Sequence, residues 1–149
     1  MHKYKSYLAA AILAFLMTVL VAPEMHEGNA MAPDLAEGDV ILLLKETYSE
    51  NRGMPEIGDL VVLDKWAFGK DFEEDSPIRR VTGLPGDQVE MEDGTLITVA
   101  DNMVFVTCKE GNEGVDSRKL EIGPVNGKDI RGKVVLRIWP FDRLGGVTE

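Results

Sequence analysis

Residues 6–23 form an uncharged run of eighteen residues dominated by Leu, Ala, Ile, Val, Phe and Met. A run this apolar is either held in lipid or removed from the mature protein, so it constrains the chain more than any other stretch. As a helix it would be roughly 27 Å long, close to a hydrocarbon core of about 30 Å. Lys3 and Lys5 precede it, and Glu24 and Glu27 follow it. That asymmetry keeps the lysines in the cytoplasm and turns the rest of the chain outward. A cleaved secretory signal has the same basic start, apolar centre and small-residue exit, here Gly28-Asn29-Ala30, and the segment alone leaves both readings open. The expected division is a cytoplasmic start and apolar span over 1–23 and one outer domain over 24–149, long enough for a single core.

The outer domain reads as mainly β. Residues 40–44 and 60–63 are apolar runs of strand length, and Val89 and Met91 alternate with Gln88, Glu90 and Glu92. Asp93-Gly94 offers a tight turn into a return strand over 96–99. Runs over 103–106 and 134–138 complete the set. The 15 glycines and 7 prolines punctuate these runs, as in a barrel or coiled sheet. Cys108 is the one cysteine, so no intramolecular disulfide supports the core. A net charge of -10 argues against a nucleic-acid partner, which needs clustered Lys and Arg. The acidic run over 71–75 reads as a solvated loop.

Familiar catalytic constellations are missing. The two histidines are His2 and His26, and no Gly-x-Ser-x-Gly elbow accompanies them. No Cys/His cluster suits a metal, and no glycine loop is followed by Lys-Ser/Thr for phosphate. No metal and no cofactor are expected. Residues 28–35, Gly-Asn-Ala-Met-Ala-Pro-Asp-Leu, crowd glycine, proline and small residues together and read as an ordered turn entering the strand at 40–44.

Together with later blocks that turn acquires a meaning. A basic start, one apolar span, Gly28-x-x-Met31-x-Pro33-x-Leu35 and Gly38-Asp39-Val40 come first. Pro55-x-x-Gly58-Asp59, Ile78-Arg79-Arg80-Val81-Thr82-Gly83-Leu84-Pro85-Gly86-Asp87, Asp116-Ser117-Arg118 and Gly132-Lys133 follow. This ordered set resembles the bacterial type I signal peptidases along nearly the whole chain. The resemblance implies a signal peptidase I-like coiled β-sheet or barrel domain on a single N-terminal transmembrane helix. It implies a location at the cell membrane, with the C-terminal domain outside and a groove for extended polypeptide.

The chemistry that the resemblance implies is a serine nucleophile activated by a neutral lysine, and here the chain departs from it. Ala30 stands at the serine position, and a methyl group cannot attack a carbonyl. Arg79 stands at the lysine position, and a guanidinium does not act as a base in proteins. Gly114 stands where a further serine orients the lysine, and Cys108-Lys109-Glu110-Gly111 replaces a Gly-Asp-Asn-Arg block. Asp34 replaces the usual Thr or Ser after Met-x-Pro. Ala30, Arg79 and Gly114 are therefore read as vestigial catalytic positions. Gly28, Met31, Pro33, Asp34, Ile78, Asp116, Ser117 and Arg118 are read as candidate groove residues, with Asp116 and Arg118 as an ion pair. Asp34 and Arg79 either pair across the dead site or stand as two separately solvated charges. Ser49, Ser76 and Ser117 are the remaining serines outside the apolar run; Ser117 reads as a loop hydrogen-bonding residue.

Two functions follow as expectations. One is a membrane-anchored, non-proteolytic binder of extended polypeptide, such as a pilin or a preprotein. Such proteins resemble accessory factors of Gram-positive pilus assembly, where a sortase is a further partner, and Gly28 before Asn29-Ala30-Met31 fits the Gram-positive form of the motif. The other is an active signal peptidase with non-standard catalytic residues.

Overall fold

The computed structural model describes residues 2–46, 48, 52–73 and 77–147. Among the described residues one α-helix, α1 (His2–Leu20), leads into nine strands: β1 (Val21–Met25), β2 (Val40–Lys45), β3 (Leu60–Leu63), β4 (Ile78–Gly83), β5 (Gln88–Glu90), β6 (Leu96–Thr98), β7 (Met103–Thr107), β8 (Val125–Asn126) and β9 (Ile130–Trp139). Seven of them form one antiparallel sheet in the order β1-β2-β9-β3-β4-β7-β8, and β5 and β6 form a separate hairpin.

The apolar run does not stay helical to its end. Val21–Met25 leaves the helix and pairs with Val40–Leu44 of β2. Pro23 explains the change, since it removes a helix donor and pushes Ala22 toward extended backbone. Among the described residues no helix is long and apolar enough to cross a membrane. The helix nevertheless exposes Leu8, Ile12, Leu13, Phe15, Leu16 and Leu20, apolar surface that the β domain does not cover.

β9 is the spine of the sheet, pairing with β2 on one edge and β3 on the other. The pairing shifts register twice along β2, once along β3 and once between β4 and β7. Such irregularities bend strands and increase local twist, and the sheet curls into a half-barrel. β3 is buried at all four positions, because its two faces serve different clusters. Leu60 and Val62 pack with Met31, Leu35, Ile41, Ile78 and Val134. Val61 and Leu63 pack with Phe68, Val81, Val104 and Val106. This accounts for an uninterrupted apolar run where a half-exposed strand would alternate.

Candidate functional site

Residues 28–35 lie in the connection that closes the β1–β2 hairpin. Beyond the strands, the His26 N–H donates to Asp39 O at 2.7 Å and the Gly38 N–H to His26 O at 2.9 Å. Within the connection the Ala32 N–H donates to Asn29 O at 3.1 Å and the Leu35 N–H to Met31 O at 2.9 Å. The segment is thus the ordered turn expected from its composition. Gly28 has φ +86°, a conformation that favours glycine. Met31 and Leu35 are fully buried and fasten the turn to the core.

A second loop clamps the first. The Lys109 N–H donates to Ala30 O at 2.9 Å. The Asn112 side-chain amide donates to Ala32 O at 2.6 Å, Asn29 O at 3.1 Å and Ala30 O at 3.3 Å. One side chain therefore holds three carbonyls of the turn. Sequence reasoning missed Asn112, because its role depends on a contact some 80 residues distant along the chain.

Arg79 is 1 % exposed. Its Nε donates to Val115 O at 2.8 Å and its Nη1 to Ile78 O at 2.7 Å, with the guanidinium 5.4 Å from the Phe68 ring centroid. Gly114 faces the same place. A β-carbon built on it would lie 3.3 Å from Ala30 Cβ, 3.8 Å from Arg79 Nη2 and 2.7 Å from Cys108 Sγ. The three positions singled out as vestigial, 84 residues apart in the chain at their extremes, thus meet in space.

They line an open cavity of about 490 Å³, together with Asn29, Asp71, Phe72, Glu73, Glu113 and Val115. Asp71 and Glu73, from the acidic run read as solvated, are exposed at its wall; Glu74 and Asp75 lie outside the described residues. The reacting side of this cavity presents a methyl group, a buried guanidinium and a bare α-carbon. None of these three can be a nucleophile or a base.

Asp34 and Arg79 neither pair with each other nor stand as two solvated charges, since Arg79 is buried. The Asp34 carboxylate instead meets Arg80 Nη2 at 2.8 Å and Lys109 Nζ at 3.0 Å. Strand alternation is the reason. Side chains of adjacent residues on β4 point to opposite faces, so Arg79 turns to the Phe68 side while Arg80 reaches the turn that carries Asp34.

The other candidate residues divide by environment. Met31 and Ile78 are buried in one core cluster and support the turn from beneath. Pro33 is exposed, and its carbonyl accepts from Arg143 Nη1 at 3.4 Å. Ser117 is fully buried, with its hydroxyl oxygen accepting from the Val106 N–H at 3.1 Å. Ser49 and Ser76 lie outside the described residues. Asp116 is 1 % exposed and pairs with Arg118 at 2.7 Å. It also accepts from the backbone N–H groups of Cys108 and Arg118, each at 2.9 Å. Burial raises its carboxyl, but the Arg118 side chain and the two backbone donors outweigh that and hold it below the usual carboxylate range.

Cys108 is buried and its thiol is pushed up to about 11, chiefly by desolvation, with Arg79 acting in the opposite sense. The thiolate is the reactive form. Alkylation of the folded protein by iodoacetamide at pH 8 is expected to run at least about a hundredfold slower than in the urea-unfolded chain, where the thiol titrates near its ordinary value of about 8.5. Mass spectrometry over a time course checks this, and equal rates would contradict the burial described.

A family model described as "Signal peptidase, peptidase S26" matches residues 2–98. An Arabidopsis thaliana mitochondrial ATP-independent inner membrane protease subunit 1b is 32% identical over 79% of this chain and 70% of its own length. The mitochondrial inner membrane protease subunit 1 of Schizosaccharomyces pombe is 28% identical over 88% of this chain and 82% of its own. Signal peptidase I P of Bacillus subtilis subsp. natto is 28% identical over 94% of this chain and 89% of its own.

Proposed function

Since the chain belongs to the signal peptidase family, peptidase S26, we propose that it keeps the family's scaffold as a holder of extended polypeptide and carries out no serine–lysine proteolysis. One observation carries this reading: Ala30, Arg79 and Gly114 converge on a single cavity, and among its described lining residues there is neither a serine hydroxyl nor a lysine amine. A hydroxyl must lose a proton to attack, and an amine must be neutral to receive it. Here there is no hydroxyl at 30 and no amine at 79.

Affinity does not depend on those two groups. An extended client is held by main-chain hydrogen bonds and by pockets for alternate side chains. The open cavity above Ala30 supplies such a pocket. The client we propose is a secreted polypeptide in extended form, such as a preprotein or a pilin subunit presented to a sortase.

Attachment to the cell membrane as a single pass with the β domain outside belongs to the same proposal; α1 alone is not long and apolar enough to cross, so the pass requires residues 21–23, the end of the apolar run, to leave β1 and join the span. Attachment is supported by the uncovered apolar surface of α1, by Lys3 and Lys5 at its start and by relatives named as inner membrane proteases. A fluorescent leader peptide titrated against the detergent-solubilised protein tests the binding claim. Saturable binding is expected, weakened at least tenfold by Ala30→Phe, which fills the cavity. Absence of saturable binding for every preprotein and pilin peptide tried would defeat it.

A further inference from the structure

We infer that Cys108 is itself an obstacle to serine–lysine chemistry in this site, because its thiol occupies the volume that a side chain at position 114 would need. The inference rests on the reading of the protein as a non-proteolytic scaffold and adds a third fault to the two at positions 30 and 79.

The obstacle is steric. Gly114 is not among the glycines with positive φ, so its backbone would accept an L-residue. Space is what forbids one. A β-carbon there would come within 2.7 Å of Cys108 Sγ, closer than two such atoms approach; Ala30 Cβ at 3.3 Å would have to give by a few tenths of an ångström, and Arg79 Nη2 at 3.8 Å is an ordinary contact. The Cys108 thiol is therefore the main obstacle between the present glycine and a hydroxyl-bearing residue, with a small adjustment at Ala30 beside it.

Relief requires the Cys108 side chain to turn about its own Cα–Cβ bond. That side chain is buried and its thiol donates to Val115 O at 4.0 Å, so turning gives up that contact and needs room in the packed interior. The backbone cannot follow it, since the Asp116 carboxylate accepts from the Cys108 N–H at 2.9 Å and the Lys109 N–H is tied to Ala30 O. A hydroxyl at 114 would stand within reach of the head group at 79, the place from which that head group can be oriented. The thiol and the missing hydroxyl are thus two sides of one exchange, and position 108 governs what position 114 can hold.

Two measurements test this. In a thermal double-mutant cycle, Gly114→Ser is expected to lower Tm by about 5 °C in the natural chain and by less than half of that in a Cys108→Ala background. Gly114→Ala, which adds only the β-carbon, is carried in parallel in case Gly114→Ser does not fold. An equal loss in both backgrounds, or no loss in either, would overturn the steric claim. In the second measurement a preprotein is offered to Ala30→Ser/Arg79→Lys/Gly114→Ser with and without Cys108→Ala. Product is expected to form at least tenfold faster when Cys108→Ala is present. Equal rates, or no product from either variant, would overturn the claim that the thiol is the remaining obstacle. Cleavage by the unmodified protein would instead defeat the scaffold reading, and the thermal cycle would still decide the steric claim on its own.

Discussion

Gly132→Ala is expected to destabilise the protein by about 3 kcal/mol, at the upper end of what overpacking costs. β9 is squeezed between β2 and β3 where Gly132 stands, opposite Lys45 on one side and Val62 on the other. A β-carbon there would fall 2.3 Å from the Leu44 carbonyl oxygen and 3.0 Å from Leu43 Cδ1. The nearer atom is backbone in a paired strand, so relief requires β2 and β9 to separate rather than a side chain to rotate. For a chain of this size the loss corresponds to roughly 10 °C in Tm. Urea midpoints of the two proteins check it, and a difference within about 0.5 kcal/mol, the range of ordinary surface changes, would show that the strands do not approach so closely.

Asp116→Asn is expected to cost about 2–3 kcal/mol at pH 7. The Arg118 side chain is 41 % exposed, so most of its charge can be taken up by water and its ion pair contributes little. The larger part is the buried N–H of Cys108, which donates to this carboxylate. The sign of the pH dependence follows from the lowered folded-state value. The carboxylate's contribution is fully present above its unfolded value of about 3.9 and is lost as pH falls through the folded one. The gap in urea midpoint between the natural protein and Asp116→Asn should therefore narrow from pH 7 to pH 3. An unchanged gap would mean that the charge is not what the buried donors require.

Much of the architecture was legible because apolar period and turn chemistry agree. The runs at 40–44, 60–63 and 103–106 lie within β2, β3 and β7, and Val89 and Met91 bury one face of the small hairpin. The misses have separate causes. β1 straddles the end of the apolar run, with residues 21–23 inside it, where nothing local says that a partner strand awaits. β9 begins four residues before the expected 134, because Arg131, Gly132 and Lys133 interrupt the apolar pattern at the point of closest strand approach. β8 has two residues and no pattern of its own.

At the site, the resemblance to the family singled out Ala30, Arg79 and Gly114, and folding brings them together. The candidate partner of Asp34 was out by one residue, since strand alternation decides between Arg79 and Arg80. The Asn112 clamp and the Cys108 contact with Gly114 are purely tertiary, and no spacing in the chain announces them.

Proteolysis decides between a scaffold and an enzyme most directly. The measurement is incubation of the unmodified, detergent-solubilised protein with a leader-bearing preprotein, followed by electrophoresis for mature product. The preprotein is expected to remain intact at catalytic amounts of protein while the same preparation binds the leader peptide. Repeated turnover to mature product, insensitive to removal of contaminating proteases and abolished by a substitution in the cavity, would contradict the scaffold reading.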